Sequence, residues 1–553
     1  MITPAPASAA AVARKKAPPR KDFPRGLRLT HRVTAAALSG VLFVFCFPTF
    51  DWAALSWVAL IPMLAAVEGL SPRRAFWLGG LTGMVGYVGV LYWVTITMTR
   101  YGNLPVVVAW LVLLMLAAYL SLYPAAFCAL LCRFGRESGP LRFALAPFLW
   151  TSLELLRTHF LTGFPWAALG YTQYATLPVI QVADVTGVYG VGFLIVLANA
   201  ALWGVLRGFL PGSPRKGRWG AGWVLGGAAL LIGAVLLYGR GRLQTFGPPS
   251  QGPSFPDGAL KVALLQGNID QELKWDKEYQ LKTLKIYRDL TYKFAGEKPD
   301  LIVWPETAAP FFFLREKELR ETLLDLAAEV KTPLLVGAPS VVARDREYRL
   351  RNSAFLVTPE KKVEGEYHKM HLVPYGEYIP LKRWFPFIRK MVTGIGDFLP
   401  GVQRTVFPHA KAPFSVLICY EVIFPDEVRR FVRGGARMLV NVTNDAWFGR
   451  SAAPYQHLAM AALRAVENRA PLVRAANTGV TAVVDASGRI RRATDLFVRT
   501  GVVTSVLPAR PAALSFYTRF GDLFAYLCAA VTFLVFAFAW RGPREGVRMD
   551  ESF

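Results

Sequence analysis

Long apolar segments dominate the amino-terminal half of this chain, and a bilayer-spanning helix needs about 20 such residues. Seven segments are about long enough to cross or nearly cross a membrane, and they lie near residues 33–49, 52–69, 75–97, 104–132, 142–157, 178–207 and 219–239. An eighth lies near 521–540. With 53% hydrophobic and only 18% charged residues, the chain is too apolar for an ordinary soluble domain. The pattern predicts a polytopic α-helical membrane domain with about eight transmembrane helices.

The charged residues between these segments predict an orientation. Lys and Arg cluster before the first segment, in alternate connections after it, and beyond the eighth. All of these clusters fall on the cytoplasmic side if the amino terminus is cytoplasmic. Seven crossings then place the polar block outside the cytoplasm, on the periplasmic face of a bacterial inner membrane. Because cytoplasmic loops and anionic lipid account for the net charge of +25, no nucleic-acid partner is expected.

The same pattern divides the chain into parts. The Ala-, Pro-, Lys- and Arg-rich start is typical of a disordered tail, and it is not a cleaved signal peptide because many spans follow it. We expect a basic cytoplasmic tail over residues 1–32, transmembrane helices 1–7 over 33–244, a polar catalytic domain over 245–515, transmembrane helix 8 over 516–541 and a second cytoplasmic tail over 542–553.

The polar block alternates short strands with amphipathic helices. Buried strands are predicted at "ALKVALLQGNI", "PDLIVWPE", "TPLLVGAPS", "RNSAFLVTP", "FSVLICYE" and "ARMLVNVTND", and a further strand that enters a turn at "TAVVDASGRI". Helices are predicted at "EYQLKTLKIYRDLTYKFA", "EKELRETLLDLAAEVK" and "PYQHLAMAALRAVENRA". β-Branched runs bounded by Pro and Gly that alternate with helical periods are typical of an α/β domain.

Four chemically useful side chains lie in this block, two of them at the ends of predicted strands. "LIVWPE" ends in Glu306, "FSVLIC" ends in Cys419, and Lys369 and Glu377 lie between them. Residues at the carboxyl ends of strands share a crevice in α/β sheets. A carboxylate can take the proton of a thiol, and a lysine can stabilise the oxyanion that forms when the thiolate attacks a carbonyl. The set is suited to acyl transfer without histidine.

Each of these residues also has a structural explanation when taken alone. Glu306 is compatible with a cap at a helix start, Lys369 with a solvated surface position, and Cys419 with core packing. The other cysteines lie in apolar segments, so no disulfide framework is expected; they are Cys46, Cys128, Cys132 and Cys528. The functional hypothesis rests on the combination.

The motifs around these residues resemble known proteins. "WPE", "YHKMHLVPYGE" and "CYE" resemble the Glu-Lys-Cys motifs of the nitrilase superfamily. "KMHLVPYGEYIP", "ICYEVIFPD" and "NVTNDAWFG" resemble the apolipoprotein N-acyltransferase family more specifically, and the resemblance covers nearly the whole chain outside the basic tail. It implies that the polar block is an extracytoplasmic α/β nitrilase-like domain with an αββα sandwich.

The resemblance also implies roles for individual residues. Glu306 matches the general base of the family, Lys369 the lysine that supports the tetrahedral intermediate, and Cys419 the nucleophile. Five more residues match positions that support the active site, and they are Glu377, Tyr420, Glu421, Trp275 and Asn352.

The implied reaction has two half-steps. Cys419 takes the sn-1 acyl chain of a phospholipid, expected to be phosphatidylethanolamine, as a thioester. The free α-amino group of the S-diacylglyceryl cysteine of an apolipoprotein then accepts the chain, which gives a triacylated lipoprotein. No cofactor is implied, and we expect a monomer. Water must be kept away from the thioester, or the enzyme becomes a phospholipase.

Two aromatic and basic stretches are suited to a lipid interface. "PFFFLREKE" follows Glu306, and "LKRWFPFIRKM" follows Glu377. Aromatic residues beside cations favour the bilayer surface. We predict mobile lids that admit acyl chains, built from Phe311, Phe312, Trp384, Phe385 and Phe387. The alternative is that these rings pack in the core of the domain.

Other functions fit parts of the pattern. A membrane-anchored nitrilase or amidase that hydrolyses C–N bonds shares the Glu-Lys-Cys set but does not need seven spans or apolar lids. A transporter needs charged residues deep in several spans, and the sequence has few of them. His368 and His371 form an HxxH pattern without a partner set, so no metal is expected.

Overall fold

The computed structural model describes residues 28–135, 141–209, 215–246, 258–271, 277–344, 347–378, 398–511 and 514–541. The predicted tails over 1–32 and 542–553 lie almost wholly outside this part of the chain. The described residues form a helical region followed by a two-sheet domain, and a final helix returns to the helical region.

The helical region is built from ten helices within the described residues. They are α1 (Leu29–Phe45), α2 (Ile61–Val67), α3 (Pro72–Leu91), α4 (Trp93–Arg100), α5 (Val106–Gly135), α6 (Leu141–His159), α7 (Leu177–Ile180), α8 (Ala183–Thr186), α9 (Val188–Arg207) and α10 (Arg215–Thr245). Within the described ranges, three stretches are both long and apolar enough to cross a membrane: Val106–Phe134, Val188–Arg207 and Gly220–Thr245. A fourth is possible if α3 and α4, bent by 51°, form one span.

Two more predicted spans are interrupted. The segment 52–69 folds as a 3₁₀ turn (Ala53–Trp57) followed by the seven-residue helix α2. The segment 178–207 begins with two short helices before α9, because Gly187 takes a left-handed conformation (φ 65°) between α8 and α9. Hydropathy averages over such breaks, so it reports an apolar stretch but not the continuity of the helix.

The α/β domain contains two sheets. Their strands are β1 (Leu260–Gln266), β2 (Leu301–Val303), β3 (Leu334–Arg344), β4 (Glu347–Val357), β5 (Val363–His368), β6 (Phe414–Ile418), β7 (Met438–Thr443), β8 (Leu472–Ala476), β9 (Ala482–Val484), β10 (Ile490–Ala493) and β11 (Thr500–Val506). The first sheet has the order β11-β1-β2-β3-β4-β5 and the second β10-β9-β8-β7-β6. β1, β2 and β3 run parallel, as do β6, β7 and β8, and the remaining pairs are antiparallel.

Six more helices complete the described chain: α11 (Lys277–Ala295), α12 (Lys317–Val330), α13 (Pro425–Arg433), α14 (Ala453–Asn468), α15 (Phe516–Phe520) and α16 (Leu523–Arg541). Side chains alternate along β1, since Val262 and Leu264 face the second sheet while Ala263 and Leu265 face α11 and α12. α13 and α14 cover the outer face of the second sheet. The layers are therefore helix, sheet, sheet, helix, and the αββα prediction for this domain agrees with them.

α14 fastens the two-sheet domain to the helical region. The buried Gln456 side chain accepts the indole N–H groups of Trp166 (2.7 Å) and Trp93 (3.3 Å). Its amide donates to the carbonyl oxygens of Pro48 and Val90, both at 3.2 Å. Unpaired polar groups are costly in such a dry interface, so these mutually satisfied bonds fix the position of α14.

A buried ion pair adds to this attachment. Arg469, directly after α14, donates to Asp184 of α8 from Nε (2.9 Å) and Nη2 (2.7 Å). Arg242 of α10 approaches the same carboxylate at 2.8 Å, and Tyr238 donates to its other oxygen at 2.8 Å. Both Arg469 N–H groups donate to Asp184 Oδ2, and these charge-assisted bonds help to hold the two-sheet domain on the helices.

Candidate active site

Three strand ends deliver Glu306, Lys369 and Cys419 to one place. Glu306 follows β2, Lys369 directly follows β5, and Cys419 directly follows β6. Gly337 of β3 permits this convergence, because a Cβ there would lie 2.4 Å from the carbonyl oxygen of Pro305. All three side chains are buried, with 6%, 1% and 8% of their surfaces exposed. The predicted crevice is therefore shielded from water.

Lys369 lies between two carboxylates. Its Nζ is 2.9 and 3.0 Å from the two oxygens of Glu377 and 3.8 Å from Glu306 Oε1. Burial alone would lower the pKa of Lys369, but the attraction of Glu377 and Glu306 outweighs burial and raises it above its ordinary value. The lysine is therefore a fixed positive charge, and Glu377 is its closest counter-ion.

Asn352 of β4 joins the two glutamates. Its Nδ2 donates to Glu306 Oε1 at 2.7 Å and to Glu377 Oε1 at 3.0 Å. The second oxygen of Glu306 accepts the backbone N–H of Asn444 at 2.8 Å. Because both oxygens of Glu306 accept hydrogen bonds, the side chain is held in one orientation.

Cys419 stands on a turn with unusual backbone geometry. Its φ of 52° lies in the left-handed region, which costs a non-glycine residue on the order of 1 kcal/mol or more and is concentrated at functional sites. Burial and the Glu306 carboxylate raise the pKa of the Cys419 thiol, while Lys369 and a hydrogen bond with Thr443 oppose that shift. The resting side chain is therefore a neutral thiol beside a carboxylate.

Glu421 connects the loop of Lys369 to the turn of Cys419. Its Oε1 accepts the Tyr367 hydroxyl and the Met370 N–H, both at 2.6 Å, and its Oε2 accepts the Ile418 N–H at 2.7 Å. Burial raises the pKa of Glu421 to about 7, against the hydrogen bonds that favour its charged form. This residue holds other groups in place and does not itself point at the reacting atoms.

Glu421→Gln is expected to weaken this connection. An amide offers one acceptor where the carboxylate offers two, so one N–H of Met370 or Ile418 would face an NH₂ group. Such a loss costs about 2 kcal/mol, and misplacing catalytic groups by about 1 Å lowers rates on the order of 100-fold. Urea unfolding and acyl-enzyme formation measure the two effects. Glu427→Gln, the same change in a partly exposed carboxylate that lies 2.9 Å from His371 Nδ1, is the control, and equal unfolding of both variants would contradict the role.

Of the remaining predicted residues, some lie in the described part of the chain and others do not. Tyr420 is buried beside the nucleophile and packs edge-on against Phe424 at 5.1 Å. Trp275 and the second lid, with Trp384, Phe385 and Phe387, lie outside the described residues.

The first lid prediction is wrong for Phe311. This ring is 1% exposed and packs in the core beneath the first sheet, where it stacks with Phe313 at 6.0 Å. The reason is the tight turn after Glu306, which directs alternate rings inward. Phe312 is partly exposed, and its N–H donates to Glu316 Oε1 at 2.7 Å.

Sequence reasoning missed several groups that surround the site. Asn444 holds Glu306, Thr443 contacts the thiol, and His457 approaches the Cys419 carbonyl oxygen at 3.2 Å. The first two lie at the carboxyl end of β7, in "NVTND". The expectation that side chains at the carboxyl ends of strands meet in the active site was therefore sufficient to predict them. His457 lies in the middle of a helix with no local signal.

The two predicted HxxH histidines make ordinary contacts. His368 Nδ1 lies 2.8 Å from the Ser353 hydroxyl, and His371 Nδ1 lies 2.9 Å from Glu427. In the described part of the chain, no three His, Cys, Asp or Glu side chains are grouped as a metal site.

Two family models together match most of the chain, one in the helical region and one in the two-sheet domain. Residues 39–201 match the family model of the apolipoprotein N-acyltransferase N-terminal domain, and residues 261–508 match that of carbon-nitrogen hydrolases. An amidase from Nesterenkonia sp. superposes with a TM-score of 0.37 at 20% identity, over 50% of this chain and 99% of that one.

Relatives match along almost the full length. An apolipoprotein N-acyltransferase of Geobacter metallireducens is 46% identical over 527 residues, which cover 95% of this chain and 96% of the relative. Another from Haemophilus influenzae is 34% identical over 484 residues, which cover 86% and 88%. These matches extend through the apolar helices as well as the two-sheet domain, and the chain belongs to the apolipoprotein N-acyltransferase family.

Proposed function

We propose that this protein transfers an acyl chain from a phospholipid to the amino-terminal amine of a diacylated lipoprotein through a thioester on Cys419. The observation that carries the proposal is the convergence of Glu306, Lys369 and Cys419 in a buried crevice of a domain fastened to apolar helices. Both substrates of such a reaction are lipids, which explains why one chain combines the two parts.

In the first half-reaction, the sulfur of Cys419 attacks the ester carbonyl carbon of the phospholipid while its proton passes to Glu306. The tetrahedral oxyanion forms near Lys369. Its collapse breaks the carbon–oxygen bond, and the leaving alcohol takes the proton from Glu306. The products are a lysophospholipid and a thioester, and Glu306 is again a carboxylate.

In the second half-reaction, the neutral α-amine of the acceptor attacks the thioester carbonyl carbon. Glu306 takes a proton from the nitrogen, the carbon–sulfur bond breaks, and the proton returns to the thiolate of Cys419. The product is an amide. A thioester suits this sequence because it reacts readily with amines, provided that water is kept away.

The charges of the site support a general-base step over a preformed thiolate. Glu306 and Glu377 against Lys369 sum to one net negative charge, so the cluster has no surplus positive charge to hold a thiolate at rest. Burial raises the thiol pKa further. When the proton moves to Glu306, that carboxylate becomes neutral and the negative charge is on the oxyanion instead. Lys369 then neutralises that oxyanion from its place beside Glu377.

The apolar helices and the loop charges support a proposal for the placement in the membrane. We propose eight crossings, with α1, the interrupted segment 52–69 and the bent pair α3–α4 among them, and the two-sheet domain over 245–515 on the periplasmic face of an inner membrane. Supporting features are the apolar helices and the Lys and Arg clusters in alternate connections. Phosphatidylethanolamine as donor and a monomeric state belong to the same proposal.

Lipoprotein N-acylation is favoured over the amidase alternative. The relatives named apolipoprotein N-acyltransferase match 95% and 86% of the chain, whereas hydrolysis of small C–N bonds leaves the apolar helices without a purpose.

The test follows the acyl group. The purified full-length protein is incubated with phosphatidylethanolamine vesicles and its intact mass is measured. We expect a mass increase of one acyl chain on Cys419, which disappears when a diacylated lipopeptide is added and reappears as an amide on that peptide. An adduct that water removes as fast as the lipopeptide does would indicate a phospholipase and contradict the transfer.

A further inference from the structure

A buried histidine contacts the backbone of the nucleophile. His457 of α14 is 1% exposed, and its Nε2 lies 3.2 Å from the carbonyl oxygen of Cys419. The adjacent Gln456 fixes the helix against the membrane region through the two indole N–H groups described above. The imidazole therefore projects from a rigid support toward the peptide that links Cys419 to Tyr420.

The neighbours of the other ring nitrogen determine the tautomer. Arg474 Nη2 lies 3.0 Å from His457 Nδ1, and a guanidinium can only donate. Nδ1 must therefore accept, so the single proton of the neutral imidazole is on Nε2. The Nε2–H group then donates to the Cys419 carbonyl oxygen.

Asp445 also approaches Nδ1, at 3.3 Å, but its oxygens have closer partners. Arg474 donates to Oδ2 at 2.6 Å and the Thr443 hydroxyl donates to Oδ1 at 2.9 Å. A proton on Nδ1 would face the Arg474 N–H at 3.0 Å. Burial and the Arg474 charge both lower the pKa of His457, which keeps the ring neutral.

The contact has a consequence for the peptide after the nucleophile. Asn441 Nδ2 lies 3.5 Å from the same carbonyl oxygen, so two side chains approach it. Because a peptide is planar and trans, a fixed carbonyl directs the Tyr420 N–H the opposite way, away from α14. The N–H of the residue after a nucleophile is a common oxyanion donor. The left-handed φ of Cys419 also requires surrounding contacts to hold it.

We infer that His457, held by Arg474 as the Nε2–H tautomer, is a positioning residue that locks the Cys419–Tyr420 peptide so that its N–H stabilises the oxyanion of acyl transfer. The inference rests on the proposed function, since it concerns the same tetrahedral intermediate. His457 touches neither substrate nor the sulfur in this role. Its effect is on the rate of the chemical step and not on the affinity for lipid.

The test compares His457→Met with His457→Gln in the full-length protein. Both side chains are similar in length, but only glutamine has an N–H at its tip. Acylation by phosphatidylethanolamine vesicles forms an oxyanion, whereas alkylation of the thiol by iodoacetamide does not. We expect Met to lower the maximal acylation rate about 30-fold, less than the loss on removing an oxyanion donor outright. Its half-saturating lipid concentration and its alkylation rate should stay within about threefold of the wild-type values.

The Gln variant is expected to recover most of the acylation rate. Peptide mapping assigns alkylation to Cys419, and Met460→Ala in the same buried helix controls for loosened packing. If Met prevents folding, Leu replaces it in the comparison with Gln. The inference is overturned if the apolar variant acylates like the wild type, if Gln and the apolar variant behave alike, or if alkylation falls as much as acylation. A wild-type protein that is alkylated but never acylated would instead refute the proposed function.

Discussion

Cys419→Ser is expected to lower acyl transfer by on the order of 10⁴-fold or more while the protein stays folded, as removal of an enzyme nucleophile does. Serine is close to cysteine in shape, so it fits among the same neighbouring side chains. Its hydroxyl is much harder to deprotonate than a thiol, and the cluster of Glu306, Glu377 and Lys369 has no net positive charge to help. Any ester that formed would also resist attack by an amine more than a thioester does.

Intact-mass analysis after incubation with phospholipid, with a lipopeptide chase, measures this loss. Cys528→Ser is the matched control, because Cys528 is a buried cysteine of α16, remote in sequence from the catalytic turn. Thermal unfolding of both variants should stay within about 3 °C of wild type, the shift that corresponds to about 1 kcal/mol in a large domain. Transfer by Cys419→Ser above one-hundredth of the wild-type rate, without an acyl ester at position 419, would show that another group carries the acyl chain.

Lys369→Met is expected to have the second largest effect, on both activity and stability. Lys369 is 1% exposed and lies 2.9 Å from Glu377 and 3.8 Å from Glu306. Its removal leaves two carboxylates facing one another without a cation. Breaking a buried ion pair in this way destabilises a protein by about 3–5 kcal/mol, and losing the charge opposite the oxyanion lowers the rate by about 10²- to 10³-fold.

Urea unfolding and single-turnover acylation separate these two losses. Lys369→Met combined with Glu377→Gln removes one of the facing charges, so we expect it to recover part of the stability and none of the rate. Lys411→Met is the control, since that lysine pairs with Asp300 at 2.6 Å but is 42% exposed; pairs at such exposure contribute about 1 kcal/mol or less. Full stability in Lys369→Met alone would mean that the carboxylates are not charged together.

Much of the α/β domain followed from local pattern. β1, β6 and β7 are mostly apolar and almost wholly buried, and the strands predicted at these places agree with the structure. β5, β8, β10 and β11 were not predicted. β5 reads "VEGEYH" and lies at an edge of the first sheet, and β11, with its partly exposed face, lies at the other. Edge strands are held by pairing with a neighbour, which a local pattern does not record.

In the candidate site too, some residues followed from local pattern and others only from the packing of the chain. Glu306 and Cys419 were predicted because each follows an apolar strand, where side chains meet in an α/β sheet. Phe311 was misassigned because "PFFFL" fits an interfacial lid and a core equally well, and only the turn after Glu306 decides between them. His457 gave no signal because its partners, Arg474 and Asp445, are brought to it by packing across β7, β8 and α14.

By itself, the sequence determined the apolar segments, the alternation of strands and helices, and the residue types available for acyl transfer. These features depend on composition and spacing along the chain, and both can be read within a single strand or helix. Only the tertiary structure decided where the helices break, which carboxylate pairs with Lys369, and that His457 reaches the Cys419 carbonyl. Those outcomes depend on distances between residues far apart in the chain, and such distances exist only once the sheets and helices have packed.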